Sequence, residues 1–303
     1  MHDVVIVGAG PAGLSAALVL GRCRRSVLVV DAGEPRNAAS QGLHGFLTRE
    51  GVKPLELRRL GRAELARYPY VHLRDGRVTR VRRDDGGFEV ALADGPVFRS
   101  AFLLLATGRI DALPEKAGFR DYYGRGVHHC PFCDAWEYRD GEIVVYGRDI
   151  GAVELARTLR TWTDRVTLCS DGPPAWPDSP DPAAEGLRVV AAGVDRLAGD
   201  AHRVREVRFV DRPPLACDAV FFCGPCPQRS ALPEALDCVF NDDRSVRCDR
   251  SAAVGVPGLF VAGNVRGGLH LAIMAAAEGA DAALAINAAL LERARGGTRS
   301  AAR

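Results

Sequence analysis

Short β-branched runs alternate with Ala- and Leu-rich stretches from the first residues onward. Asp3-Val4-Val5-Ile6-Val7 has no polar alternation, which predicts a strand buried on both faces. Pro11 to Gly21 predicts a helix, and 26–30 (Ser-Val-Leu-Val-Val) a second buried strand ending at Asp31. Residues 34–75 read as a loop and then a polar helix from about Pro54 to Tyr68. Residues 77–83 and 88–93 alternate, predicting a strand pair about the turn Asp84-Asp85-Gly86-Gly87. Phe102-Leu103-Leu104-Leu105 is again a buried strand, followed by Ala106-Thr107-Gly108, and the Pro-containing stretch Asp111 to Gly118 reads as a domain crossover.

The middle of the chain repeats this opening. Residues 142–146 predict a strand, 147–152 a loop, the stretch to about Trp162 a helix, and 165–169 a strand. A Pro/Asp/Ala-rich loop follows at 172–186, then several strands within 187–222. Leu259 to Asn264 reads as a strand entering a Gly turn, His270 to Leu291 as a long Ala-rich helix, and about Ala294 to Arg303 as a frayed tail.

The two copies carry different loops. The first is Gly8-Ala9-Gly10-Pro11-Ala12-Gly13, with Asp31 placed 23 residues after Gly8. Strand, Gly loop, helix, strand and acid in that order form the dinucleotide fingerprint. Gly8 permits the tight turn, Gly10 lets backbone approach a pyrophosphate, and Gly13 lets helix and strand pack closely. The helix N-terminus favours phosphate, and Asp31 can accept from a ribose diol. The second loop is Gly147-Arg148-Asp149-Ile150-Gly151-Ala152. Asp149 puts a side chain and a negative charge where the pyrophosphate would lie, and no Arg pair follows to hold a 2′-phosphate. This reads as a domain that has lost its nicotinamide cofactor. An NADH site of unusual loop geometry, using Ser170 or Asp171 on the ribose, is the alternative.

Composition narrows the class. The 303 residues suffice for two domains, and a formal charge of +2 gives no broad field for nucleic acid. Nine cysteines, an odd number and mostly single within apolar stretches, point to a reducing compartment and not to a secreted disulfide framework. The opening strand leaves no place for a signal peptide, and no uninterrupted apolar run reaches the ~18 residues of a spanning helix. A cytoplasmic protein is expected.

The chemistry centres on Cys130-Pro131-Phe132-Cys133-Asp134. Two thiols at this spacing can attack and resolve a mixed disulfide. Asp134 is a candidate proton carrier between substrate thiol and cysteine, with a solvated helix-start carboxylate as the plain alternative. His128 and His129 are candidate bases or thiolate stabilisers, or ordinary packing histidines. His270, opening the last helix, is a further candidate proton acceptor, or simply a polar residue at a helix start. Cys223-Gly224-Pro225-Cys226 spells a redox motif but lacks the βαβ context, and no second close pair near Cys130 supports zinc.

With these motifs in order along nearly the whole chain, the sequence resembles the low-molecular-weight thioredoxin reductases and their relatives, the FAD-dependent dithiol oxidases of gliotoxin- and holomycin-type pathways. The elements that carry the resemblance are the loop 8–13, Ala106-Thr107-Gly108, the pair Cys130 and Cys133, and Gly263-Asn264. The resemblance implies an α/β fold of two Rossmann-like three-layer domains. The FAD domain would be 1–112 plus 247–303, with 113–246 inserted as a degenerate NAD(P)-binding-like domain carrying the dithiol. It implies FAD and a homodimer. Gly263-Asn264 would meet the ribityl chain, with Asn264 in place of an Asp, and the backbone of Leu271 and Ala272 would face the flavin's N1/O2 edge. Cys133 would face the flavin, while Cys130 exchanges with substrate. The implied reaction oxidises a small dithiol metabolite or a peptide or protein dithiol, with oxygen as acceptor. NAD(P)H-dependent reduction of a thioredoxin-like protein and a non-catalytic flavin sensor are the alternatives. Asp134 matches the reductases, since the oxidases usually carry His there; the broken second loop and Trp136-Glu137 match the oxidases.

Overall fold

The computed structural model describes residues 1–84, 86–176, 182–268 and 271–300. His270, Asp85, part of the 172–186 loop and the last three residues of the expected tail lie outside these. The chain divides into two compact units, residues 1–38, 46–110 and 227–303 in the first and 39–45 with 111–226 in the second.

In the first unit a seven-stranded sheet runs Val71–Asp75, Val27–Asp31, His2–Val7, Val97–Leu105, Gly87–Leu92, Val78–Asp84. Leu259–Val261 also pairs, in parallel, with the end of Val97–Leu105. The first four strands are parallel, and the last two form an antiparallel arm. Strand His2–Val7 sends Val4 and Ile6 to one core and Val5 and Val7 to the other. That explains its unbroken apolar sequence, because both faces are covered. One face carries the helices Pro11–Arg22 and Ala272–Ser300. The segment Ala272–Arg295 is long and apolar enough to cross a membrane by length and composition. Here Ala282, Ala283, Ile286 and Leu290 bury themselves in the first unit's core.

The second unit has a five-stranded parallel sheet in the order Arg188–Val190, Val166–Cys169, Ile143–Tyr146, Ala219–Phe222, Val127–His128. A separate antiparallel sheet comprises Val194–Gly199, Val204–Phe209 and Leu215–Ala216. Val144, Val220 and Phe222 face one core, while Ile143, Val145, Ala219 and Phe221 face the other. The α/β class with two parallel-sheet units therefore follows from two-faced burial in each.

Some expectations shift. Strand Val71–Asp75 replaces the end of the expected loop-and-helix stretch, and the polar helix stops at Leu65. The last helix begins at Ala272 and runs on to Ser300, past the start of the expected frayed tail, since no Pro follows to stop it. Residues 227–246, placed by the sequence reading with the insert, pack in the first unit. Leu232, Leu236, Cys238 and Val246 join Leu103 and Leu259 in its core, and the Val246 amide donates to the Val265 carbonyl at 2.9 Å.

The long helix can lie close to Pro11–Arg22 because Gly279 has no side chain. A Cβ there would stand 2.0 Å from the Ala12 carbonyl oxygen, a backbone atom that cannot swing away. Gly279→Ala is therefore expected to cost about 1–3 kcal/mol. Chemical denaturation of the purified variant measures this, and an unchanged midpoint would contradict the close packing.

Candidate active site

Three segments of the first unit converge at the carboxyl ends of its parallel strands. Gly8 has φ +106°, and a Cβ on it would meet the Ala106 carbonyl oxygen at 2.4 Å and Thr107 Cα at 3.5 Å. A Cβ on Gly13 would fall 1.9 Å from the Gly8 oxygen, so helix and strand touch backbone to backbone. Gly263, at φ +73°, sits over the Ala12 methyl. Gly8, Gly13, Ala12, Thr107, Gly108 and Gly263 are thus brought together, with Asn264 next in the same turn.

This edge has the properties of a nucleotide cradle. Gly10 has an ordinary extended backbone, φ −76°, and no protein atom lies within 4 Å of a Cβ built on it. Nothing in the chain forbids a side chain at Gly10, so the open space is what the glycine preserves. The helix beginning at Pro11 has no side-chain cap and no acid in its first turn, leaving its amides available to an anion. The Thr107 hydroxyl oxygen is buried and has no hydrogen-bond partner. These residues fit a flavin dinucleotide's pyrophosphate.

Asp31 does more than the sequence suggests. It is buried, accepts the Ala9 amide at 3.1 Å, and pairs with Arg58 and, at 3.4 Å, with Arg62. Arg58 also donates to the Ala9 carbonyl. Asp31 therefore holds the loop in shape, and any ribose contact would use its remaining acceptor capacity. Arg58 and Arg62 were not legible because they come from the polar helix Pro54–Leu65, distant in sequence. Glu278, also missed, accepts the Gly263 amide at 2.8 Å, and burial pushes its carboxyl up. Leu271 accepts the Ala275 amide, placing Leu271 and Ala272 at the start of the last helix. His270 lies outside the described residues.

The second Gly loop is filled by its own side chains. Asp149 is the N-cap of helix Ile150–Leu159 and accepts the Ala152 amide at 3.1 Å. The Ser170 hydroxyl donates to the Gly172 carbonyl. Asp171 accepts from Tyr146 at 2.7 Å, from the Val194 amide at 2.7 Å and from Lys116. Burial opposes its ionisation, but these hydrogen bonds and the Lys116 charge hold Asp171 below the usual carboxylate range.

Cys130 and Cys133 are joined by a disulfide with Cα atoms 5.3 Å apart. Cys130 caps the short helix Pro131–Asp134, and Pro131 needs no amide donor at its first position. Phe132 and Trp136 are exposed on this turn. Asp134 reaches back to the strand before the pair, where His128 Nδ1 lies 3.2 Å from its carboxylate. His128 is buried, and its Nε2 accepts the Gly126 amide at 3.2 Å with the Tyr138 hydroxyl at 3.1 Å. An accepting Nε2 puts the imidazole proton on Nδ1, facing Asp134. Burial and the Asp134 charge push Tyr138 up to about 12, so its hydroxyl stays protonated. His129 instead contacts Tyr123 at 3.0 Å and Asp111 at 3.7 Å. The arrangement can open and close a disulfide while a carboxylate braced by imidazole handles protons.

Cys223 and Cys226 are not joined in a disulfide, and Cys226 donates to Asp111 at 3.3 Å. Burial and the Asp149 charge push the Cys223 thiol up, opposite to an activated thiolate.

The first unit thus holds an open dinucleotide-type Gly loop and the second a disulfide at C-x-x-C spacing. The chain belongs to the pyridine nucleotide-disulphide oxidoreductase family, whose profile matches residues 2–279. It is 37% identical over 152 residues to a probable thioredoxin reductase of Arthroderma benhamiae, covering 48% of this chain and 38% of that one. It is 29% identical to the thioredoxin reductase tcpT of Claviceps purpurea, covering 86% of each chain. The structure matches that of HlmI with a TM-score of 0.93 at 36% identity, over 100% of this chain and 96% of that one. The chain is thus a thioredoxin reductase-like member of its family.

Three variants test these features. Gly10→Ala is expected to change the stability of flavin-free protein by less than about 0.5 kcal/mol, yet to lower retained flavin, measured as the visible absorbance of purified protein. Asp134→Asn is expected to slow reduction of the Cys130–Cys133 disulfide by about 100-fold, and His128→Asn by about tenfold. Stopped-flow thiol release measures both; equal rates in all three proteins would remove the proton role.

Proposed function

We propose that this protein is an FAD-dependent dithiol oxidase that converts a substrate dithiol to a disulfide, with oxygen as the final acceptor. The observation that carries the reading is the contrast between the two Gly loops. The first helix start is uncapped and open, while the second is capped by Asp149 and its acid, Asp171, is spent on Tyr146, Val194 and Lys116. A nicotinamide nucleotide bound there would have to displace a cap and sit beside a carboxylate.

On this reading the first unit holds FAD through Gly8, Gly10, Pro11, Ala12 and Gly13, with Thr107, Gly108, Gly263, Asn264, Leu271 and Ala272 along its length. Bound FAD supplies a two-electron acceptor that oxygen regenerates, giving peroxide. A substrate thiolate attacks Cys130, the substrate's second thiol closes its own disulfide, and the released pair is left as two thiols. The two electrons and two protons of the substrate now reside on Cys130 and Cys133. Asp134, fixed by His128, carries protons between the thiols. Cys133 passes the electrons on, and His270 is a second proton acceptor. The other seven cysteines lie outside the disulfide, and a reducing, cytoplasmic setting and a homodimer complete the proposal.

A second reading, an NAD(P)H-dependent thioredoxin-disulfide reductase, is favoured by Asp134 following the second cysteine and by the names of the curated relatives. Anaerobic mixing separates the two. Dithiothreitol is expected to bleach the flavin and NADH or NADPH to leave it coloured; bleaching by either nucleotide within turnover time would overturn the oxidase reading. In air, Cys133→Ser is expected to abolish peroxide formation from dithiothreitol, and full retention would leave only a flavin-binding role.

A further inference from the structure

The second unit contains a cavity of about 530 Å³ beside the dithiol turn. One wall is Asp134, Glu137 and Tyr138, another is His44 with Gln41 and Gly42, and a third is Arg125 with His202 and Arg203. The walls are held together by backbone. A Cβ on Gly124 would stand 2.1 Å from the Ala39 carbonyl oxygen, so segment 39–45 lies hard against the loop that carries Arg125.

Each carboxylate already has an imidazole beside it, His128 at 3.2 Å from Asp134 and His44 at 3.6 Å from Glu137. Among the described residues neither arginine pairs with an acid. Arg125 donates to the Ala201 carbonyl at 3.0 Å and the Asp121 carbonyl at 2.5 Å, neutral acceptors that leave its charge uncompensated. Among the described residues the Arg203 guanidinium makes no hydrogen bond or ion pair, although it is half-buried. A guanidinium that lines a cavity without a protein acceptor is open to one from a ligand.

We propose that this cavity is the substrate pocket and that Arg203 and Arg125 bind a carboxylate of the substrate, making the substrate a small dithiol acid. The proposal rests on the dithiol-oxidase reading and adds the substrate's class to it. The volume suits a small molecule and not a folded protein partner. A molecule spanning the cavity presents its thiols at the Asp134 wall and its carboxylate at the arginine wall. The arginines then fix which end of the molecule enters, and the residues of the dithiol turn do the exchange.

Dihydrolipoate and dihydrolipoamide share one dithiol and differ only in carboxylate against amide, so they are the probes. In wild-type protein kcat/KM for the acid is expected to exceed that for the amide by about tenfold, the size of one charge-assisted hydrogen bond in a half-exposed site. Arg203→Met is expected to bring the acid-to-amide ratio to about one, and Arg203→Lys to keep part of it. A ratio near one in wild type, or a ratio untouched by Arg203→Met, overturns the proposal. If neither dithiol is turned over while dithiothreitol is, the pocket proposal fails and the oxidase reading stands; if dithiothreitol is not turned over either, the oxidase reading fails by itself, and calorimetry on the oxidised protein with lipoate and lipoamide decides the pocket. Tighter binding of lipoate, lost in Arg203→Met, supports it; equal binding of the two refutes it.

Discussion

Backbone pressed on backbone is the constraint on which the first unit is built. Helix Pro11–Arg22 touches the Gly8 carbonyl at Gly13, strand Val97–Leu105 approaches Gly8 through Ala106, and the last helix meets Ala12 at Gly279. None of these contacts leaves room for a Cβ. The result is that three stretches distant in sequence meet backbone to backbone, with no side chains between them. Amide groups, not side chains, then form the surface there, and an anion is the complement that amides at a helix start favour. The nucleotide cradle is thus a consequence of packing as much as a separate feature.

The second unit tests this logic by breaking it. Its loop keeps Gly147 at φ +156° and a helix start at Ile150, so the turn itself is preserved. What changed is the occupant of the helix N-terminus. An Asp cap contributes about 1 kcal/mol to its helix, whereas a phosphate brought within 4 Å of that carboxylate would meet repulsion of about 4 kcal/mol per charge pair at an effective dielectric of 20. Asp171, one residue beyond the position that matches Asp31, likewise joins Tyr146, Lys116 and Val194. The loop's two acids are thus bonded within the unit, which keeps the parallel sheet that presents the dithiol turn.

How much of this was legible follows from the range of each interaction. The Gly loop, Asp31, the Cys130–Cys133 pair and the helix-start position of Asp149 are local patterns, and each stands where its spacing places it. The bracing of Asp31 by Arg58 and Arg62 joins residues about thirty apart through a surface helix, so no short motif announces it. Glu278 on the Gly263 amide is hidden for a different reason: one acid in an Ala-rich helix looks like a solubilising residue. Strand Val71–Asp75 was missed because only Val71 and Leu73 are apolar in it, and residues 227–246 because their short apolar runs gain meaning only against Leu103 and Leu259.

The conflict between the two sequence signals at the dithiol changes character once the neighbours of Asp134 are known. An Asp after the second cysteine resembles the reductases, where a His there would resemble the oxidases. In this chain the carboxylate lies 3.2 Å from the buried imidazole of His128, which enters from the strand before the pair. The proton on Nδ1 faces the carboxylate, and the Gly126 amide and the protonated Tyr138 hydroxyl keep the ring in that tautomer. A proton relay needs a basic group with a defined tautomer near the sulfur atoms, and an Asp–His pair supplies one as well as a lone His does. The identity of the residue at position 134 therefore carries little weight on electron direction. The weight falls on the second Gly loop, where Asp149 caps the helix start and Asp171 is bonded within the unit.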